Sequence, residues 1–350
     1  MNKYPLLMCF LLSVVGLNCQ ALASTERTVE IIPFDPEEQR DDLGKLRVER
    51  NQLYVRFTGA GGVYIATKDL ALLGDPYFTN SSLGTLVTLR DLRADEALLD
   101  KWLPSLDHVA GVIVGHGHYD HLADVPSVMA RLPSSVKLVA SKTSNHLLAS
   151  AVSADRRIDA NGYMASASLH GEWIALHPRI RVLPIQSEHS PHIADIVFAS
   201  DVVNEDLAAL PGDVADWHSG TTLSYVIDIL DEDKRDVLFR IFYQSSASSF
   251  PLGVPPQWVL EDGVGIDLAV LCAANYSKVS QYPEGLLTKI KPRNVMLIHW
   301  EKFWDAYLPG RGVELPGVDL DVLGSLVMQN LPEKSSLFVP QRGASIILAK

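Results

Sequence analysis

Val109-Ala-Gly-Val-Ile-Val-Gly-His116-Gly-His118-Tyr-Asp120-His121 is the stretch on which the reading of this chain turns. From Val109 to Val114 every residue is apolar or glycine, the pattern of a strand buried on both faces. Its sequel is chemically different: His116, His118, Asp120 and His121 are potential ligands packed into a short loop. In an extended stretch, His116 and His118 lie two apart and point to one side. Asp120 and His121 then turn toward an adjacent position. Such a cluster is costly if buried and unpaired, and a metal ion is its natural compensation.

Upstream, the segments 53–58, 62–67 and 70–73 read as short strands, punctuated by Gly59, Gly61 and Gly62 and closed by Asp75-Pro76. Helical spacing covers 95–103 and 122–132, with Asp124 and Pro126 suited to the start of the second helix. A strand at 136–140 and a helix at 144–152 follow. In the second half, 180–185, 223–229, 237–243, 268–271 and 295–298 are apolar strands, several ending at a polar residue. Strands alternating with helices predict sheets covered by helices on their outer faces, within one α/β domain. The segment 193–219 departs from this pattern: it holds Asp195, Asp201, Glu205, Asp206, Asp213 and Asp216 and no Lys or Arg. It reads as an acidic surface insertion placed to cover the site as a lid.

The chain opens with Lys3, an apolar run from Leu6 to Leu17, and Ala21-Leu22-Ala23. That is the layout of a secretory signal peptide over 1–23, leaving a domain of 24–350 in the periplasm or outside the cell. The run is short of the roughly 20 residues a span needs, so no stable membrane span is expected after cleavage. Cys9 and Cys19 fall in this leader, and Cys272 alone cannot form an internal disulfide or a cysteine-based zinc framework. Any metal must then be held by histidines and carboxylates. A formal charge of −12 disfavours nucleic acid as a partner and does not identify a substrate, which is expected to be a small molecule or lipid-like compound.

The His-x-His-x-Asp-His motif after a strand resembles the metallo-β-lactamase superfamily. Leu73-Gly-Asp75-Pro76-Tyr-Phe78, His118-Tyr119-Asp120-His121 and Leu297-Ile-His299-Trp300 are similar to the branch of ascorbate-6-phosphate lactonase and N-acyl-phosphatidylethanolamine phospholipase D type. The resemblance implies an αββα sandwich, two mixed β-sheets flanked by helices, with a metal site at the sheet edges. It implies a third histidine after a downstream strand, where His189 stands and His192 is its rival. A late histidine follows another strand, and His299 matches. His116, His118 and His189 would hold one Zn²⁺, and Asp120, His121 and His299 a second. A metal-bound hydroxide would attack an ester, lactone or phosphodiester bond, with Asp120 as the catalytic carboxylate. Asp75 reads either as an orienting partner of a ligand or as a turn residue before Pro76.

The same resemblance implies a bridging Asp at the end of the 237–243 strand, where this chain has Gln244-Ser245-Ser246. No carboxylate lies between Asp236 and Glu261, so the bridge is missing, and one or two ions remain open. Asp228 and Asp267 are conceivable substitutes. Trp300, Phe303, Trp304 and Tyr307 read as core or as an apolar slot, and His218 as a loop residue or a substrate-facing donor. The competing readings are a non-catalytic periplasmic binding protein on a degenerate hydrolase fold and a β-lactamase proper.

Overall fold

Alternate residues of the Gln52–Gly59 strand face opposite ways, and both faces are buried. Leu53, Val55 and Phe57 enter the core between two sheets, whereas Tyr54 packs under the helices outside. Val109–Ile113 behaves alike: Ile113 points into the sandwich and Val112 toward the helices. A strand buried on both faces needs cover on both, and the fold supplies it. The computed structural model describes residues 29–35, 48–88, 92–192, 196–304, 307–310 and 312–350.

One sheet runs, in spatial order, Ser345–Ala349, Gln52–Gly59, Gly62–Ala66, Ala71–Gly74, Val109–Ile113, Lys137–Ala140 and Arg157–Asp159. Its first three junctions are antiparallel and its last three parallel. The other runs Val29–Ile32, Ser336–Pro340, Asn294–Ile298, Leu268–Cys272, Val237–Gln244, Leu223–Leu230, Ile180–Gln186 and Ile174–His177. Its first five strands are parallel and the remainder antiparallel. Two mixed sheets with helices outside make an αββα sandwich, the architecture that the sequence motif implies.

Side chains cap several helix N-termini. Asp95 accepts from Leu98 N at 3.0 Å ahead of Glu96–Trp102, and Ser141 from Ser144 N at 3.2 Å ahead of Lys142–Leu147. On the other sheet, Leu320–Asn330 buries Leu323 and Val327, one turn apart. The helix expected over 122–132 is instead two short ones, Tyr119–Leu122 and Val125–Arg131. Asp124 sits between them and does not cap the second. Its carboxylate accepts from Phe78 N at 2.6 Å, Thr79 N at 2.9 Å and the Thr79 hydroxyl. Two backbone N–H groups with no strand partner outbid the helix end, and the loop after Pro76 is thereby fixed.

No helix among the described residues is long and apolar enough to cross a membrane. The expected signal peptide, 1–23, lies outside the described residues.

Candidate metal centre

Strand after strand ends at one edge of the sandwich, and the residues just past those ends converge. Ala71–Gly74 delivers Asp75, Val109–Ile113 delivers the His116–His121 loop, Ile180–Gln186 delivers His189, and Asn294–Ile298 delivers His299. The sheets are stitched there by cross-hydrogen bonds. Leu223 N donates to Gly115 O at 2.7 Å, Gly117 N to Ser219 O at 2.9 Å, and the Tyr225 hydroxyl to Val114 O at 2.7 Å.

Two donor groups result: His116, His118 and His189, and beside them Asp120, His121 and His299, each group with ligand atoms within 4.8 Å of one another. Hydrogen bonds fix which ring nitrogens are bare. His118 Nε2–H donates to Phe198 O at 2.9 Å, and His189 Nδ1–H to Ser190 O at 2.7 Å. The remaining nitrogens, His118 Nδ1 and His189 Nε2, therefore carry lone pairs and face each other at 3.1 Å. Two lone pairs aimed at one another repel unless a cation lies between them. Ligand nitrogens on one tetrahedral zinc ion lie about 3.4 Å apart, which this spacing approaches. His116 joins the group with both ring nitrogens buried and unpartnered. The donor chemistry fits a metal ion.

In the second group, His121 Nδ1–H donates to Asp75 Oδ2 at 2.7 Å, while Asp75 Oδ1 accepts from Gly115 N at 2.7 Å. Asp75 thus orients a candidate ligand and, with φ of 39°, also serves as the turn residue. His121 Nε2 and His299 Nε2 lie 3.5 and 3.3 Å from Asp120 Oδ2. His299 adopts φ of 56°, a left-handed conformation costing of order 1 kcal/mol or more in a non-glycine residue.

The metal-free electrostatics divide the groups. Burial holds His116 and His189 well below the usual imidazole range, and takes His118 down to about 4. Burial works the same way on His121, but Asp120 and Asp75 override it and hold that ring up at about 10. Asp120 is the converse: burial raises it, and His121 and His299 hold it well below the usual carboxylate range.

Asp120 is the sole carboxylate among the described residues lining the cavity. Where a bridging Asp was looked for, the Ser245 hydroxyl is buried without a partner, and Ser246 Oγ accepts from Ser190 N at 3.2 Å. Gln244 Nε2 donates to Ser187 Oγ at 3.3 Å, so this strand end braces the His189 loop. Neither proposed substitute reaches the site. Asp228 is opposite Arg240, five residues back from Ser245, and accepts from Arg240 Nε at 2.7 Å; Asp267 accepts from Arg293 Nη1 at 2.9 Å. Their charges are spent on arginines.

His192 stands beside the first group, its ring centroid 4.8 Å from that of His189. Its Nδ1 accepts from Phe198 N at 3.2 Å. His218 is not among the lining residues; its carbonyl instead backs Gly117, where a Cβ would come within 2.1 Å of it. The aromatics divide: Trp300 and Tyr307 are buried, donating to Pro340 O and Thr58 O, while Phe303 and Trp304 line the cavity. Phe198, Val214 and Ala215 of the acidic insertion line it too.

A two-sheet αββα sandwich with clustered histidines and one carboxylate at its strand ends defines a metallo-hydrolase fold. Residues 73–271 match the beta-lactamase superfamily domain, and the chain belongs to that family. Among solved structures it is similar to Igni18, a metallo hydrolase from the hyperthermophilic archaeon Ignicoccus hospitalis, at 11% identity and a TM-score of 0.50, over 85% of this chain and 99% of that one. It is also similar to the metallo-beta-lactamase fold protein YhfI from Bacillus subtilis, at 13% identity and a TM-score of 0.45, over 84% and 99%. At 11% identity the likeness to Igni18 is one of fold. No curated protein matches the chain.

Proposed function

We propose that this protein is an exported, metal-dependent hydrolase that cleaves an ester, lactone or phosphodiester bond with water as the nucleophile. His116, His118 and His189 would hold one ion and Asp120, His121 and His299 a second, with zinc the ion that imidazole-rich donors suit best. Metal ions bound there would supply Lewis acidity, making water acidic and polarising the substrate oxygen. Asp120 would orient the attacking water and pass its proton to the leaving group. Asp75 and the carbonyls of Phe198 and Ser190 hold the rings in the tautomers that keep metal-facing nitrogens bare.

The observation that carries this reading is the 3.1 Å approach of two unprotonated nitrogens, His118 Nδ1 and His189 Nε2. Within the superfamily, the motifs around Asp75, His118 and His299 support kinship with the lactonase and phospholipase D type branch. The leader at 1–23 supports a periplasmic or secreted location, which cell fractionation with N-terminal sequencing tests. Chelation is expected to abolish turnover across a panel of esters, lactones and phosphodiesters, with zinc restoring it, and His116→Ala to lose metal. Stoichiometric ligand binding without turnover, unchanged by Asp120→Ala, would instead favour a binding protein.

A further inference from the structure

The cavity over the candidate metal centre has a volume of about 810 Å³, within the range that encloses a drug-sized molecule. Much of its apolar wall comes from two separate segments. On one side the acidic insertion supplies Phe198 and Val214; on the other, the loop after His299 supplies Phe303, Trp304 and Leu315. The two phenylalanines flank the metal ligands. Phe303 lies 5.0 Å from the His299 ring, and Phe198 lies 5.4 Å from His192, whose ring is 5.4 Å from His118. A substrate whose scissile bond meets the metals must therefore lie against apolar surface on either side.

Charged recognition is scarce by comparison. Lys278 is the only lysine or arginine among the described residues lining this cavity, and its ammonium donates to the backbone carbonyl of His192. Among the remaining polar lining groups, which include Ser245 and Asn275, His192 is fixed through its backbone and ring. Its backbone N–H is held by Ile196 O at 2.9 Å, its carbonyl by Lys278, and its Nδ1 by the N–H of Phe198. A ring that accepts at Nδ1 carries its proton on Nε2, so it presents a single neutral donor to the cavity. A carbonyl or ester oxygen needs no more than that.

We propose, resting on the hydrolase reading above, that the substrate is an uncharged ester, lactone or amide with an extended apolar body, seated between Phe198 and Phe303. His192 donates to its carbonyl oxygen and is a substrate-binding residue rather than a metal ligand.

Binding of straight-chain alkanoates, from butanoate to decanoate, to the zinc-loaded protein tests this by calorimetry. Kd is expected to fall by about fourfold per added methylene, the effect of moving each from water to an apolar wall. Phe303→Ala and Phe198→Ala are each expected to weaken octanoate by about tenfold while zinc content stays unchanged. His192→Ala is expected to keep its zinc and to weaken every alkanoate by a similar factor; loss of zinc would overturn its assignment. A Kd independent of chain length, or glucose 6-phosphate bound more tightly than octanoate, would overturn the substrate class. Length-dependent binding without hydrolysis of any matching ester would count against the hydrolase reading and leave the apolar slot standing.

Discussion

A histidine ligand is defined by its unused nitrogen as much as by the one that binds. His121 keeps Nε2 for the centre because Asp75 takes its Nδ1–H at 2.7 Å. Asp75→Asn is expected to weaken metal binding at the second group by about 10–100-fold, read by competition with a chromophoric chelator, while leaving the first group intact. Proton bookkeeping separates the groups further. His118 is held down at about 4 by burial, so above that pH its ring is already neutral and an incoming ion displaces no proton. His121 is held up at about 10, so an ion there must expel one. Affinity of the first group is thus expected to be nearly flat from about pH 5 to 9, while that of the second rises about tenfold per pH unit over the same range. Metal content after dialysis at pH 6 and at pH 9 checks this; equal occupancy of two ions at both would sink it. The ligand types were legible in the sequence because His116, His118 and His299 directly follow apolar strands. The division of labour between His189 and His192 was not: they are three residues apart in an irregular loop, and Phe198, six residues beyond His192, fixes both the His192 and His118 tautomers.

Glycines set how closely one element can approach another here. Gly61, in the turn joining Gln52–Gly59 to Gly62–Ala66, lies where a Cβ would come within 2.6 Å of the His121 ring. Its carbonyl also accepts from the Tyr243 hydroxyl at 2.8 Å, tying this hairpin to the other sheet. Gly61→Ala must therefore shift either the turn or the imidazole. The expected outcome is a folded protein that binds one ion normally and loses the second, measured by metal analysis beside circular dichroism. The central strands could be read from sequence because two-sided burial writes an unbroken apolar run, as in 109–114 and 268–271. Edge strands such as Val29–Ile32 and Ile174–His177 carry no such run: only one neighbour holds each, and Val29 and Ile31 are exposed. The split of the 122–132 helix was hidden for another reason. Asp124 is as good a cap by composition as any, and only the tertiary structure reveals that Phe78 and Thr79 claim it.

At the scale of the molecule, function and cohesion occupy opposite ends of the same strands. The site lies past the C-terminal ends of the parallel strands; toward the other end, Arg240 is wholly buried and joins several strands and loops at once. It donates to Asp228 at 2.7 and 3.0 Å, to Asp262 at 2.9 Å and to the carbonyls of Val259 and Val264, while its own N–H donates to Asp267. Removing one member of such a buried pair leaves an uncompensated charge in a dry interior, which typically costs about 3–5 kcal/mol. Arg181 still donates to Asp228 at 2.8 Å, so the lower end of that range is expected for Arg240→Met. Chemical denaturation should show this loss, whereas zinc content under native conditions and metal-dependent turnover should match the parent protein. Were Arg240→Met to lose metal without losing stability, Asp228 would belong to the metal centre after all. The opposite result would mean that the long strands insulate the site, so that substitutions at its rim change chemistry while the far end keeps the sandwich closed.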